Sequence, residues 1–269
     1  MRSHLVTFYL RSLSQSNLFS VTGISEIAMP DIFGKTMRDA LEGKDADYIL
    51  ERDDGFIRNT TGRDYIKPFE EWIKGEREAI LNIEGPVLDV GCGVGRVGDY
   101  VKSQGLEYYG LDLSPLAVEM CHKRGYENVF LMSADNIKLD RTDFKTVVLF
   151  GNNFGLMGEP DGVVRMLKGF HRVTADDAII LAGSIDPKET DDEMHLAYHA
   201  RNRAEGKPPG LVKLRNKYEE EVDEWRYLLL CGKKLMSELA EEGGWYLEKT
   251  FGGPKYNVGV LKKRGYEIQ

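Results

Sequence analysis

The residues of this chain with chemistry in their spacing fall into four short stretches. The first is Val87-Leu88-Asp89-Val90-Gly91-Cys92-Gly93-Val94-Gly95-Arg96. A glycine-rich turn after an apolar strand lets backbone approach a nucleoside-type ligand closely. Asp112 stands twenty-one residues past Gly91, where a carboxylate accepts hydrogen bonds from both ribose hydroxyls. Ala134-Asp135-Asn136 comes next; a carboxylate at that place takes the exocyclic amine of an adenine. The fourth stretch, Gly151-Asn152-Asn153-Phe154-Gly155, is polar and glycine-rich. A nicotinamide fingerprint reads G-x-G-x-x-G, whereas here Arg96 takes the place of its last glycine, which weakens a hydride-transfer reading.

A second group lies further along. His195 and His199 are four apart on one face of a polar helix, with Tyr198 beside them. Such a pair binds zinc only with further ligands, and none is evident, so no metal site is assigned. The three residues are candidates for a general base and for acceptor contacts, against the commoner role of packing and capping. Between His195 and Lys217 six cations, Arg203 and Arg215 among them, face one acid, Glu205. Period two places Lys213, Arg215 and Lys217 on one face of a strand. Two readings stand side by side: a basic lid that selects a carboxylate or phosphate, or the solvated face of an exposed hairpin. Tyr198, Tyr218, Trp225 and Tyr227 either line a pocket or fill a core.

These residues need elements to position them. Strand patterns at 86–90, 108–113, 128–132, 146–150 and 178–184 alternate with helix-length segments such as 115–124 and 160–173, which means βαβ units and a parallel sheet. Upstream, residues 29–84 read as a helical segment, with helices at 35–42 and 68–82. From about 187 to 230 the alternation stops. A polar helix at 191–205 ends at Gly206 and Pro208-Pro209-Gly210, and strands at 211–218 and 225–230 form a hairpin inserted into the sheet domain. A helix at 233–242 and strands at 245–251 and 256–262 close the chain. The expected architecture is α/β, a mostly parallel seven-stranded sheet with helices on both faces plus an inserted helix-hairpin lid.

The series VLDVGCGVG, YYGLDLSP, SADNI and VVLFGNNFGLMG resembles the class I S-adenosylmethionine-dependent methyltransferases, over about residues 85–265. The Glu51-Arg52-Asp53-Asp54-Gly55 stretch and the segment from His195 to Arg203 are similar to a prokaryotic branch of that family that fits a small-molecule acceptor. The resemblance implies a Rossmann-like fold and S-adenosylmethionine as cofactor, with S-adenosylhomocysteine as product. It implies that Asp89, Gly91, Cys92, Gly93 and Gly95 line the methionine part, Asp112 holds the ribose and Leu113 packs on the adenine. Asp135 would meet the adenine amine with Asn136 flanking it. Gly151, Asn152 and Asn153 would sit beside the sulfonium and its amino-acid tail, with Asn153 also touching the acceptor. Tyr65, in a region that folds over the cofactor in many such enzymes, would be a further contact. His195, Tyr198, His199, Arg203, Arg215 and Tyr218 are the remaining acceptor candidates. The family's Asn/Asp-Pro-Pro-Tyr/Phe motif is missing, which counts against amino-group methylation of adenine or glutamine.

Composition narrows the choice. The chain has 269 residues and a net charge of −8, against the basic footprint of a nucleic-acid binder and so against methylation of RNA. Three cysteines without metal spacing point to reduced thiols and a cytoplasmic protein. No apolar run is long enough for a membrane span. Residues 1–28 read as a leader or disordered extension: up to Ser25 they hold no acid, and Arg2, Arg11 and six serines resemble a targeting segment. The function these features imply is methyl transfer to a small-molecule acceptor, in competition with a non-catalytic S-adenosylmethionine sensor or scaffold and with an RNA or protein methyltransferase.

Overall fold

The structure is a computed structural model and describes residues 30–264; the leader assigned to 1–28 lies outside the described residues. Chain order gives α1 (Ile32–Leu41), β1 (Asp47–Arg52), β2 (Ile57–Thr61), α2 (Lys74–Ile80), β3 (Val87–Val90), α3 (Arg96–Ser103), β4 (Tyr108–Asp112), α4 (Pro115–Lys123), β5 (Val129–Leu131) and β6 (Phe144–Leu149). There follow α5 (Pro160–Val173), β7 (Thr174–Ile185), α6 (Glu193–Ala204), β8 (Leu211–Tyr218), β9 (Glu221–Val222), β10 (Arg226–Leu229), α7 (Lys233–Glu242), β11 (Trp245–Gly252) and β12 (Tyr256–Lys263).

Seven strands form the main sheet in the order β11-β12-β7-β6-β3-β4-β5. Six run in one direction, and β12 is the reversed strand, antiparallel to both β7 and β11. The chain winds outward from β3 through β4 to β5, then returns to β6 on the other side of β3. That reversal opens a crevice at the carboxyl ends of β3 and β6, where open α/β sheets bind ligands. The short central strands are buried on both faces, as a sheet covered by helices on two sides requires. On one face α5 and α7 pack through Met166, Leu167, Phe170, Leu239 and Trp245. On the other, α2, α3 and α4 pack through Ile80, Val97, Val101, Val118 and Cys121. The helix starts follow from local chemistry. Ser114 caps α4 by accepting the Ala117 N–H, and prolines open both α4 and α5. All three cysteines are buried and unpaired, and no helix among the described residues is long and apolar enough to cross a membrane.

The segment 29–84 is only partly helical. The helix expected over 68–82 is broken: one 3-10 turn at Phe69–Glu71 precedes α2, and the chain between them is extended at Trp72 and Ile73. The Trp72 indole N–H donates to the Lys67 carbonyl at 2.9 Å and fixes that bend. The larger correction is the β1–β2 hairpin. It joins β8 and β10 in a second, antiparallel sheet ordered β10-β8-β1-β2, with β9 also on β8. The insertion is therefore no free-standing lid. Its strands share one sheet with the N-terminal hairpin, and α6 covers part of that sheet through Tyr198, Val212, Leu214 and Leu50.

Candidate active site

The loop after β3 is a tight crossing that only glycine fits. Gly91 and Gly93 have φ of +70° and +53°, a region that a side chain disfavours. A Cβ on Gly91 would lie 2.5 Å from the Asn153 amide nitrogen, and one on Gly93 would lie 2.9 Å from the Met37 sulfur. The Gly91 and Cys92 N–H groups donate to the Leu111 carbonyl at 2.8 and 3.1 Å, which ties the loop to the end of β4. Asp112 completes the tie. One oxygen accepts the Gly93 N–H and the other the Ser114 N–H, both at 2.8 Å. Burial raises the Asp112 carboxyl above its ordinary range, and the two N–H groups pull it back. Each oxygen keeps a lone pair for a further donor. Leu113 beside it is 62% exposed, and Asp135 and Asn136 stand exposed after β5.

Three of the expected cofactor contacts are displaced from the open side of the crevice. Asp89 is 3% exposed and lies under the loop, where it accepts the Tyr108 hydroxyl at 2.9 Å. Burial pushes its carboxyl up to about 7. Cys92 is buried, and its thiol and that of Cys121 both point at the Gly93 carbonyl, at 3.6 and 3.3 Å. Gly95 is buried too, against the Tyr126 ring. These residues support the loop. Asn152 and Asn153 pin the loop after β6: Asn152 accepts the Ile185 N–H at 2.9 Å, and Asn153 donates to the Val90 and Gly91 carbonyls at 2.9 and 3.2 Å. Gly151 has open space beside it.

Sequence reasoning missed a buried junction behind this loop. The Glu76 carboxylate accepts Arg96 at 3.0 Å, the Gly151 N–H at 2.9 Å and the Tyr256 hydroxyl at 2.8 Å. Arg96 also stacks on Trp72, 4.5 Å from the ring centroid. One carboxylate thus joins α2, α3, β12 and the loop after β6. The departure of Arg96 from the nicotinamide fingerprint was its one visible sign.

Helix α1 lies across the glycine loop. Its N-cap Asp31 accepts the Gly34 N–H, the Ser114 hydroxyl and the Leu116 N–H, so one carboxylate starts α1 and steadies α4. Met37 then meets Val94 and Ala117. Phe33, near the start of α1, meets Tyr48 and Tyr65 edge-on with centroids 6.0 and 5.8 Å away, and the two tyrosine hydroxyls are 3.1 Å apart. Tyr65, expected on the cofactor, therefore belongs to this aromatic cluster.

The second group of candidates is drawn away from the crevice. Tyr198 donates to Asp53 at 2.8 Å and accepts the Lys213 N–H at 3.1 Å; burial and Asp53 push its phenol up to about 12. His195 Nδ1 lies 3.1 Å from Arg52, and its ring packs on Phe56. His199 is buried, which lowers its pKa together with the nearby positive groups. Tyr198 and His195 thus tie α6 to β8 and to the end of β1. Tyr218 sits 2.9 Å from Asp39 and 2.8 Å from the Asp45 carbonyl, a structural bond between sheet and α1. Arg203 is exposed. Arg215 and Lys217 both bind Glu51, at 2.6 and 2.7 Å. They share a strand face with Lys213, opposite to Tyr218 and Asn216. The basic stripe is thus the outer face of the sheet, with part of its charge neutralised in place.

Residues 87–177, a third of the chain, match the family model described as "Methyltransferase domain". The chain is 25% identical over 118 residues to the Bacillus subtilis (strain 168) protein described as "Putative methyltransferase YqeM", covering 42% of this chain and 47% of that one. The matched part thus spans about half the length of that relative. Among solved structures, a Bacteroides fragilis S-adenosylmethionine-dependent methyltransferase in complex with S-adenosylhomocysteine superposes with a TM-score of 0.74 at 20% identity, covering 87% of this chain and 95% of that one. The CcbJ methyltransferase from Streptomyces caelestis gives a TM-score of 0.52 at 15% identity, over 75% and 98% of the two chains. The sheet order, the crevice and these matches define the class: this is a class I methyltransferase-fold protein. Within it, residues 87–177 are the part that matches the methyltransferase-domain model.

Proposed function

We propose that this protein transfers the methyl group of S-adenosylmethionine to a small-molecule acceptor. The observation that carries the reading is the Asp112 clasp. On a methyltransferase-fold sheet, this carboxylate grips the Gly93 N–H and still has lone pairs to accept two ribose hydroxyls. Around it the crevice has the groups such a cofactor needs. Exposed Leu113 offers an apolar face to an adenine, and Asp135 and Asn136 stand at its edge. Gly151, with open space beside it, leaves room for the amino-acid tail.

When bound, S-adenosylmethionine supplies an electrophilic methyl group on a sulfonium leaving group. What remains for the chain is alignment and exclusion of water. Asp112 and the glycine loop fix one reactant. Helix α1 and the second sheet close over the carboxyl edge and hold the other. Of the side chains considered as bases, Tyr198 is engaged by Asp53 and the Lys213 N–H and His195 by Arg52, which supports a transfer that rests on positioning.

Calorimetric titration with S-adenosylmethionine, S-adenosylhomocysteine and NADH tests this. The two adenosyl compounds should bind and NADH should not; binding of NADH alone, or of none, overturns the reading. Formation of S-adenosylhomocysteine with an acceptor panel then separates an enzyme from a sensor.

A further inference from the structure

The inner face of the second sheet carries a cation that the basic stripe on its outer face conceals. Arg226, in β10, is opposite Leu214 of β8 and so shares a sheet face with Asn216. Its guanidinium carbon sits 4.9 Å from the centroid of the Phe33 ring, in the aromatic cluster of Phe33, Tyr48 and Tyr65. It makes a single hydrogen bond, a long one of 3.2 Å to Asp223. Its remaining N–H groups have no partner among the described residues, although only 37% of the side chain is exposed. The Asp223 carboxyl is itself drawn toward its neutral form by burial, and its bonded oxygen is shared with the Asn216 amide at 3.0 Å. Asn216 is fully buried, and its side-chain Oδ1 has no partner among the described residues. Asp31, the other acid nearby, is saturated by Ser114 and two backbone N–H groups. Arg226 is therefore partly exposed and under-bonded within the fold, and it stands beside α1, the helix that spans the glycine loop.

We infer that Arg226 recognises the acceptor, and that the acceptor is a small monoanionic carboxylate held against Phe33, Tyr48 and Tyr65. The inference rests on the methyltransferase reading above. A guanidinium with free N–H groups binds a carboxylate through two parallel hydrogen bonds, which are stronger than neutral ones. One arginine beside two acids suits a single negative charge and disfavours a dianionic phosphate. The flat aromatic walls suit an apolar body behind the carboxylate.

The test uses the full chain saturated with S-adenosylhomocysteine and titrated with acetate, phenylacetate and benzoate, each against its amide. At least one carboxylate should bind at least about tenfold more tightly than its amide. Arg226→Met should erase that preference, and Arg226→Lys should keep part of it, with unchanged melting temperatures and S-adenosylhomocysteine affinity showing that both variants fold. Equal binding of every carboxylate and its amide by the wild type overturns the inference, as does an Arg226→Met variant that keeps the preference. If S-adenosylhomocysteine fails to bind, the methyltransferase reading falls. The same comparison on the protein without it then judges Arg226 alone.

Discussion

Two carboxylates of the glycine-loop region, Asp112 and Asp89, show how burial sorts function at the scale of single residues. Asp112 is reachable from the crevice and already polarised by two N–H groups. Asp112→Ala should weaken S-adenosylmethionine binding by about 100-fold, the worth of two hydrogen bonds to a charged group; calorimetry that finds unchanged affinity would remove the clasp from the site. Asp89 is sealed beneath the loop with Tyr108. Its carboxyl is raised from an ordinary 3.8 to about 7, so the fold favours the protonated form. The stability it contributes is complete below its unfolded value and is lost as pH rises through about 7. Asp89→Asn, which keeps an acceptor for the tyrosine, should therefore gain on the wild type in urea between pH 4 and 7 and run parallel above. A constant difference across that range would show that the carboxyl is not perturbed. The spacing of the loop located both acids, but spacing does not distinguish the open side of a loop from its underside. That distinction lies in what packs beneath, here Tyr108 and the neighbouring free thiols of Cys92 and Cys121.

Among the elements, those bounded by strong punctuation were the legible ones. Helix α5 opens on Pro160, strand β8 follows Pro208-Pro209-Gly210, and α7 stops at Gly243-Gly244; all three lie where their patterns place them. The β1–β2 hairpin escaped because its strands read as polar. One face carries Glu51 to Arg215 and Lys217, the other carries Arg52 into a cage of Phe56, Tyr198 and Asp54, so no apolar alternation survives. Asp54-Gly55, with Gly55 at a φ of +89°, was the turn signal available. The contact between the loop after β6 and β10 is equally hidden from sequence. A Cβ on Gly155 would lie 1.8 Å from the Leu229 carbonyl oxygen. Gly155→Ala should cost about 1–3 kcal/mol or more in a denaturant titration. Gly253→Ala, with nothing within 4 Å, should be silent. Equal stabilities of the two variants would mean that the two elements do not touch.

At the level of the whole molecule, the second sheet is built from two distant parts of the chain. Replacing residues 187–230 by a short linker should expose the β1 edge, and exposed edges associate; size exclusion should show aggregates with reduced binding of S-adenosylhomocysteine. A monomer with full affinity would restore the picture of a detachable lid. The main sheet was readable because each βαβ unit is local. The second sheet was not, because its pairings join Ile49 to Lys217 and Glu51 to Arg215, and no window of sequence contains both partners. That separation also sets an order of events during synthesis. The N-terminal hairpin leaves the ribosome long before β8 exists, and a two-stranded hairpin is marginal in water on its own. Five of the main sheet's six co-directional strands are made by Ile185, before the insertion is translated. The nascent chain therefore assembles the strands around the glycine-loop crevice first and the second sheet late, when β8 arrives to give the waiting hairpin its partner.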